Sequence, residues 1–266
     1  MSDYVFGKQT YQQLKQKYQL SINTIRKALD TAVKASASII KPGRVVLGID
    51  GTFFSKELGI ILLRGAIKGV NLWWCFVTTE STDTYLYGIK KLQSRGWQVL
   101  GIVCDGKNLS LGEKLNLPIQ MCHFHQKLIV QRYLTTKPNL EASIRLKQLS
   151  DLLTRLDEKT FTFLLDSWYQ RWDGFLKEKT TNPFTKRKFF THKRLRSAYR
   201  SLKRNLPFLF TFEYQRKLGI NFPNTNNSTE GFFSNLKKKV NLHQGLKLYR
   251  KVKLIQQILM QKTSRF

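Results

Sequence analysis

Three carboxylates stand out because the chain around them is so basic. Its 266 residues carry 46 Lys and Arg against 17 Asp and Glu, a formal net charge of +29. Asp50 follows the apolar run VVLGI, Asp105 follows LGIVC, and Glu230 is the last acid in the chain. A carboxylate at the end of a buried strand is costly unless it is paired or bound to a metal. Three of them on separate elements could hold two Mg²⁺ ions for phosphoryl transfer.

Each of these carboxylates also has an ordinary structural explanation. The dipeptide Asp-Gly occurs at residues 50–51 and 105–106, and it is common in turns. Asn227 and Glu230 have the spacing of a capping box, in which the glutamate only accepts a backbone hydrogen bond. Glu230 and Phe233 share a helical side, however, which favours a carboxylate that faces the core. Both aspartates together, each expected to end a strand, favour the catalytic interpretation.

The segment MCHFHQ, residues 121–126, contains side chains that bind zinc. Cys122, His123 and His125 are possible ligands, but a fourth is not obvious, because the chain has no C-x-x-C pair and only two other histidines. We therefore expect these residues to shape the end of a strand and not to form a closed zinc site.

The elements around the carboxylates predict an α/β core. Three strand-like runs at hairpin spacing, between residues 45 and 81, precede a helical pattern at 82–96. A buried strand at 97–104, a second helical stretch and a strand near 117–122 follow. This order is that of a ribonuclease H-like sheet, in which ligands gather at the carboxyl ends of strands.

The N-terminal region predicts two short helices. Leu14 and Tyr18 give one apolar face, Ile25 and Leu29 give the next, and Ser21 is a suitable N-cap between them. The pattern indicates either a helix-turn-helix or an ordinary helical hairpin. As a helix-turn-helix, its second helix would present four side chains to a major groove: Asn23, Thr24, Arg26 and Lys27.

The region after residue 135 shows helical patterns and no strand pattern. Residues 183–204 contain nine Lys and Arg with no acid, and aromatic residues lie among them. We expect phosphate contacts from this segment and from the last helical region, residues 226–262. The candidates are Lys186, Arg187, Lys188, Lys193, Arg194, Lys237 and Lys238.

The composition limits the class of protein. A hydrophobic content of 41% excludes a disordered chain, and the excess of positive charge indicates a polyanionic partner such as double-stranded DNA. No apolar run reaches the roughly 18 to 20 residues that cross a bilayer, and the N-terminus lacks a signal-peptide core. The three cysteines fit reduced thiols. We expect a soluble cytoplasmic protein that associates with the bacterial nucleoid and not with a membrane.

Four segments in order, GIDGTFF, VCDG, MCHFHQ and NNSTEGFFSNLK, resemble the transposases of bacterial insertion sequences of the mutator type, which are akin to eukaryotic Mutator-like elements. The resemblance spans residues 8 to about 245. It implies a ribonuclease H-like core with Asp50, Asp105 and Glu230 as catalytic metal ligands and Mg²⁺ or Mn²⁺, two ions, as cofactor. It also implies a Cys-x-x-His signature near the active site, at Cys122 and His125, and a long all-helical insertion before Glu230.

The resemblance suggests four regions: a helix-turn-helix at 1–41, the first part of the core at 42–135, an all-helical insertion at 136–222 and completion of the core at 223–266. It implies binding to terminal inverted repeats, metal-dependent cleavage and strand transfer, and a homo-oligomer in the DNA complex. Many relatives carry a Cys-rich module before the helix-turn-helix, where this chain has only MSDYVFG, so a shortened copy is expected. The alternatives are a catalytically silent DNA-binding derivative and a ribonuclease H-like nuclease or resolvase.

Overall fold

The computed structural model describes residues 2–5, 7, 9–32, 41–243 and 245–261. The strands are β1 (Arg44–Ser55), β2 (Leu58–Gly65), β3 (Asn71–Val77), β4 (Gln98–Cys104), β5 (Ile119–Met121), β6 (Lys179–Thr181) and β7 (Lys188–Phe190). The helices are α1 (Ser2–Val5), α2 (Tyr11–Tyr18), α3 (Ile22–Thr31), α4 (Thr82–Ser94), α5 (Leu111–Leu115), α6 (His123–Leu134), α7 (Glu141–Asp151), α8 (Glu158–Lys177), α9 (Lys193–Leu209), α10 (Thr211–Lys217), α11 (Asn227–Asn241) and α12 (Leu248–Gln261). The fold is mixed α/β, and the predicted order of three strands, helix, strand, helix and strand is confirmed.

The chain forms two compact units, Met1–Gln98 with Asn227–Phe266 and Val99–Asn226, which we call the first and the second unit. In the first unit β2 lies between β3 and β1, and in the second unit β4 neighbours β5. In the first unit β1, β2 and β3 are an antiparallel meander, in which Ile49 pairs with Leu63 and Ile61 with Cys75. Every residue of β2 is buried, which explains its uninterrupted apolar run.

Two layers cover the meander of the first unit. Helix α4 packs against β2 and β3 through Tyr85, Ile89 and Leu92, which are all buried. Gly88 permits the close approach, because a Cβ there would lie 2.5 Å from the Trp73 ring. A second core cluster joins Ile60 and Leu62 of β2 to residues of helices α11 and α12.

The N-terminal helices belong to this second cluster. Leu14 of α2 and Ile25 of α3 are buried in it, and Ser21 caps α3 by accepting a hydrogen bond from the Thr24 N–H at 3.1 Å. Arg250 of α12 donates two hydrogen bonds to the Asp30 carboxylate, at 2.9 and 2.6 Å. This bidentate pair lowers the pKa of Asp30 and fixes the end of α3 to the C-terminal helix.

The second unit combines a parallel strand pair with stacked helices. Strands β4 and β5 pair through Ile102 and Ile119, and α6 packs against both α7 and α9. A buried hydrogen-bonded chain crosses its core, because Gln126 donates to the Ser201 hydroxyl and accepts from the Asn205 amide. Satisfied buried polar groups of this kind fix the packing of a helix more closely than apolar contacts alone.

The second unit corrects the prediction that residues 136–222 contain no strand. Strands β6 and β7 form an antiparallel hairpin within that segment, with Thr181 opposite Lys188. Each strand has only three residues, which is too short for an alternating pattern to be visible in the sequence. In the part of the chain that the structure describes, no helix is both long and apolar enough to cross a membrane.

Candidate functional site

Asp50 lies in the middle of β1, so the prediction that it ends a strand is wrong. The strand continues for five residues, because Gly51 and Thr52 still pair with β2, and the chain reverses only at Lys56 and Glu57. The Asp-Gly dipeptide is therefore not a turn here. Asp50 is partly buried, and its Oδ1 accepts a hydrogen bond from the Gly51 N–H at 2.8 Å.

The pairing of Asp50 shows which face of the sheet it occupies. Asp50 is opposite Leu62, and directly paired residues point to the same face of a sheet. Leu62 packs in the cluster that contains Phe232 and Phe233 of α11. Glu230 lies in the first turn of that helix and is partly buried. The first unit thus places two predicted catalytic carboxylates, Asp50 and Glu230, on the same side of its sheet.

Asn227 is the first residue of α11, and Glu230 lies three residues later, within the first turn of the same helix. Phe233, one turn further, is buried as the shared helical side predicts. The position of Glu230 beside buried aromatic residues fits a carboxylate directed toward the sheet.

Arg64 of β2 holds the start of α11 in place. It is a cation with only 6% of its surface exposed, and burial lowers its pKa to about 10, so it remains charged at neutral pH. Its Nε donates to the Ser228 hydroxyl at 3.1 Å, and its guanidinium lies 4.8 Å from the centre of the Phe232 ring. Its Nη1 donates to Asn71, whose amide donates in turn to the Leu259 carbonyl. Arg64 therefore fixes the helical turn that carries Glu230.

A further carboxylate, Glu80, lies on the opposite face of the meander. It accepts a hydrogen bond from the buried Tyr85 hydroxyl at 2.6 Å. A Cβ at Gly51 would lie 3.1 Å from both the Glu80 carboxylate and the Tyr85 hydroxyl, so only glycine fits without displacing them. Because side chains alternate along a strand, Gly51 and Asp50 face opposite ways, and Glu80 is not on the Asp50 side.

Asp105 follows β4 directly, as predicted. It is partly buried in the second unit, where its Oδ1 accepts hydrogen bonds from the Lys107 N–H at 3.1 Å and from the Asn108 side chain at 3.3 Å. Asn108 itself is buried. The turn after β4 therefore orients one carboxylate oxygen of Asp105, as aspartates do in Asx turns.

Cys122 and His125 lie at the start of α6 in the second unit. The Cys122 sulfur and a His125 ring nitrogen lie within 4.8 Å of each other. The Cys122 sulfur also accepts a hydrogen bond from the Asn226 N–H at 3.2 Å, while the His123 N–H donates to the Asn224 carbonyl. These bonds attach the segment that precedes α11 in the chain to the N-terminus of α6.

The His123 side chain packs against residues at the end of α9 and the start of α10. Its Nε2 is hydrogen-bonded to the Leu209 carbonyl at 2.5 Å, and its ring edge meets Phe210 and Phe212. Burial lowers the pKa of His123 to about 4, so the ring is neutral at neutral pH and donates through Nε2. Its hydrogen bond and its burial give His123 a structural role in the core of the second unit.

The residues predicted to contact DNA are all on the surface. Asn23, Thr24, Arg26 and Lys27 are exposed on α3, and Lys237 and Lys238 are exposed on α11. In the second unit Lys186, Arg187, Lys188, Lys193 and Arg194 are exposed on the hairpin and at the start of α9. Each is therefore accessible to phosphates or bases in its own unit.

Sequence reasoning missed Arg64 and Glu80. A single Arg in the apolar run GIILLRGAI is a visible signal, because a buried cation needs partners. Glu80 gives a weaker signal, as one acid among the polar residues that precede a helix.

No family profile and no curated protein matches this chain. Among solved structures, the chain is similar to the Drosophila P element transposase strand transfer complex. The two share 12% sequence identity over 92% of this chain and 87% of that one, with a TM-score of 0.43. A likeness at this level leaves the function to be argued from the residues of the chain itself.

Proposed function

We propose that this chain is a DDE-type DNA transposase of an insertion sequence, of the mutator type, with a ribonuclease H-like core. The observation that carries the proposal is the placement of Asp50 and Glu230 on one face of the sheet of the first unit, with the Glu230 turn fixed by the buried Arg64. The net charge of +29 and the element order support the same conclusion.

The donor atoms fit divalent cations. Asp50, Asp105 and Glu230 offer hard carboxylate oxygens, which suit Mg²⁺ or Mn²⁺, and the negative charge of Asp50 and Glu230 lies on one side of the sheet. Two bound ions would supply Lewis-acid stabilisation and a more acidic attacking water. We assign the three carboxylates as the ligands of those ions.

The protein contributes position more than covalent chemistry, because phosphoryl transfer depends on holding the attacking and leaving oxygens in line. In cleavage, a water oxygen forms a bond to phosphorus and the bond to the 3′ oxygen breaks, which leaves a 3′-hydroxyl. In strand transfer, that hydroxyl attacks a target phosphodiester, so one phosphorus–oxygen bond again replaces another. Helix α3 would read the element ends, and the basic side chains of the hairpin, α9 and α11 would hold backbones of double-stranded DNA.

The decisive experiment replaces each carboxylate by its amide: Asp50→Asn, Asp105→Asn and Glu230→Gln. The substrates are labelled duplexes cut from the DNA that flanks the gene, incubated with Mg²⁺ or Mn²⁺. An amide keeps the shape but loses the charge that a hard cation selects. We expect cleavage and strand transfer to fall by orders of magnitude in all three variants, with unchanged DNA binding and melting.

Glu80→Gln is the matched control, because Glu80 is a carboxylate of the first unit on the opposite face. Its activity is expected to equal that of the parent. Normal cleavage by the Glu230→Gln protein would remove Glu230 from the active site. DNA binding by the parent without any cleavage would instead identify a silent DNA-binding derivative, and cleavage without joining would identify a nuclease.

A further inference from the structure

The β6–β7 hairpin of the second unit carries an aromatic ring that none of the described residues covers. Phe184 is 92% exposed, and it is the most exposed large apolar side chain that the described residues contain. The next, Phe163 of α8, is 69% exposed. A single exposed apolar residue is common on protein surfaces, so exposure alone assigns no role to Phe184.

Hydrogen bonds order the backbone of the turn that carries Phe184. The Asn182 side-chain oxygen accepts hydrogen bonds from the N–H groups of Phe184 and Thr185, each at 2.9 Å. The Asn182 N–H donates to the Arg187 carbonyl, and the Lys186 N–H donates to the Asn182 carbonyl. Lys186 closes the turn with a positive φ of 55°. The ring is thus presented by an ordered turn, so the backbone of the turn loses little conformational freedom when Phe184 binds a partner.

The base of the hairpin is attached to the helices of the second unit. The Thr191 N–H donates to the Glu178 carbonyl, and the Arg196 guanidinium lies 3.6 Å from the centre of the Phe190 ring. Two strands of three residues, at about 3.3 Å per residue, give the hairpin a length of about 10 Å from its base to its turn. The grooves of duplex DNA are about 7.5 to 8.5 Å deep. The turn can therefore reach base edges while the helices stay at the backbone.

The positive charge around Phe184 favours a polyanionic partner. Residues 179–212 contain ten Lys and Arg and no acid. Lys186, Arg187 and Lys188 are exposed next to the ring, and a surface groove at the base of the hairpin is lined by Lys137, Lys193 and Arg194 among others. Phe189 and Phe190 are half-buried under cations, so the tip offers one ring and not the wide apolar face that membrane insertion needs.

We propose that Phe184 is a wedge that enters a base step of duplex DNA and unstacks it, while the cations beside it hold the flanking phosphates. Apolar side chains that enter base steps in this way kink the duplex. The inference rests on the proposed function only in taking DNA as the ligand. The unstacked step would lie where the hairpin meets the DNA, and no bond is made or broken by Phe184.

The test uses the full-length protein and a series of mixed-sequence 40-base-pair duplexes, each with one 2-aminopurine. This base fluoresces more strongly when it is unstacked. We expect the parent to raise the fluorescence at the positions of the duplex that the hairpin occupies. Phe184→Ala is expected to abolish this rise and to weaken binding by about tenfold, the lower part of the range for losing one stacked base. Phe184→Trp is expected to restore both.

Phe163→Ala is the matched control, because Phe163 is also exposed in the second unit but lies outside the hairpin. It should leave fluorescence and affinity unchanged. An unchanged rise in the Phe184→Ala protein, or an equal loss in the Phe163→Ala protein, overturns the wedge. Tight binding by the parent without a rise at any position also overturns it and leaves the proposed transposase intact. A parent that fails to bind any duplex contradicts the proposed function itself.

Discussion

Arg64 shows how one buried side chain can determine the position of another residue, here the Glu230 that we propose as a metal ligand. It contacts Ser228 and Phe232, which lie on either side of Glu230 in α11, and it is linked through Asn71 to α12. An ammonium group has no planar fork and cannot reproduce both hydrogen bonds at once. The position of the Glu230 carboxylate therefore depends on a guanidinium in particular and not on positive charge alone.

We predict that Arg64→Lys lowers the free energy of unfolding by about 1.5 to 3 kcal/mol, the range for losing a hydrogen bond to a charged group. The cleavage rate at saturating DNA should fall by more than the DNA affinity, because the helical turn that carries Glu230 is no longer fixed. Urea denaturation and single-turnover cleavage measure the two effects. Arg95→Lys, at an exposed position of the same unit, should change neither. Equal losses in affinity and rate would contradict the positioning role.

His123 gives a prediction about pH. Its folded-state pKa of about 4 lies below the usual 6.5, so the unfolded chain binds the proton more readily. The associated stability is present above pH 6.5 and is lost as the pH falls toward 4, with a slope of at most about 1.4 kcal/mol per pH unit. Denaturant titrations at several pH values measure this slope.

The His123→Gln protein keeps a donor for the Leu209 carbonyl but has no titrating ring. We expect it to be less stable at pH 7 and to lose less stability between pH 6.5 and 4 than the parent. The matched control is His192→Gln, which changes a histidine that is paired with Glu178 in the same unit. A parent whose stability does not change over this range would contradict the prediction.

At the scale of elements, the order of strands and helices could be predicted from the sequence. The residues at which some of these elements end could not. Strands β1, β2 and β4 could be predicted from the sequence, because continuous apolar segments indicate strands that are covered on both faces. The extension of β1 beyond Asp50 was missed because the Asp-Gly dipeptide is typical of a turn. In the structure Gly51 instead pairs with Ile61 across the β1–β2 hairpin.

Asp105 and the α3 cap, by contrast, depend on local hydrogen bonds. Asp105 ends its strand with a local turn, and Ser21 caps its helix with a local hydrogen bond, so both were predictable from short stretches of sequence. The hairpin at 179–190 was missed because each of its strands has only three residues, and because contacts such as that between Arg196 of α9 and Phe190 leave no local pattern. The interpretation of Glu230 as facing the sheet depended on one buried neighbour, Phe233, which is indeed buried.

Helix α3 should determine sequence preference. Asn23 and Lys27 are exposed and one turn apart, while Ile25 and the Asp30–Arg250 pair hold the helix on the core. We predict that Asn23→Ala with Lys27→Ala reduces the preference for element ends over random DNA by about tenfold or more, since a good base contact contributes about 1 to 3 kcal/mol. Competition binding measures this ratio. Lys15→Ala on α2 should lower affinity for all DNA alike, and the same result for the double variant would argue against base reading.

The hairpin cations should act on phosphates without regard to sequence. Replacing Lys186, Arg187 and Lys188 by Gln removes up to three phosphate contacts, so the slope of log affinity against log salt should flatten by up to about 2.7. The control removes the same charge elsewhere in the second unit, at the exposed Arg145, Arg155 and Lys159. An equal flattening in the control would show a general charge effect, and a loss on one DNA sequence alone would show base reading.

For the whole molecule, we expect the repulsion among like charges to exceed the attraction within the exposed ion pairs. A net charge of +29 repels itself, whereas pairs such as Lys203–Asp166 are exposed and contribute at most about 1 kcal/mol each. Salt screens both the repulsion among like charges and the attraction within ion pairs, and we expect the loss of repulsion to be the larger effect. We predict that raising the salt concentration from about 0.05 to 0.3 M raises the melting temperature, and that duplex DNA raises it further by binding the folded state. A melting temperature that falls with salt would show that the ion pairs dominate.

The first unit is discontinuous in sequence, and this has a consequence for synthesis in the cell. Residues of α11 and α12 complete a core that Leu14, Ile25 and Leu62 begin, yet the whole second unit is translated between them. The ribosome therefore synthesises the whole second unit, which is continuous in sequence, before the core of the first unit is complete. Domains generally fold as units during synthesis. A product that terminates before α11 would expose the apolar face of β2 and lack Glu230. Premature termination should yield chains that proteases remove, and not stable fragments that compete with the full-length protein for DNA.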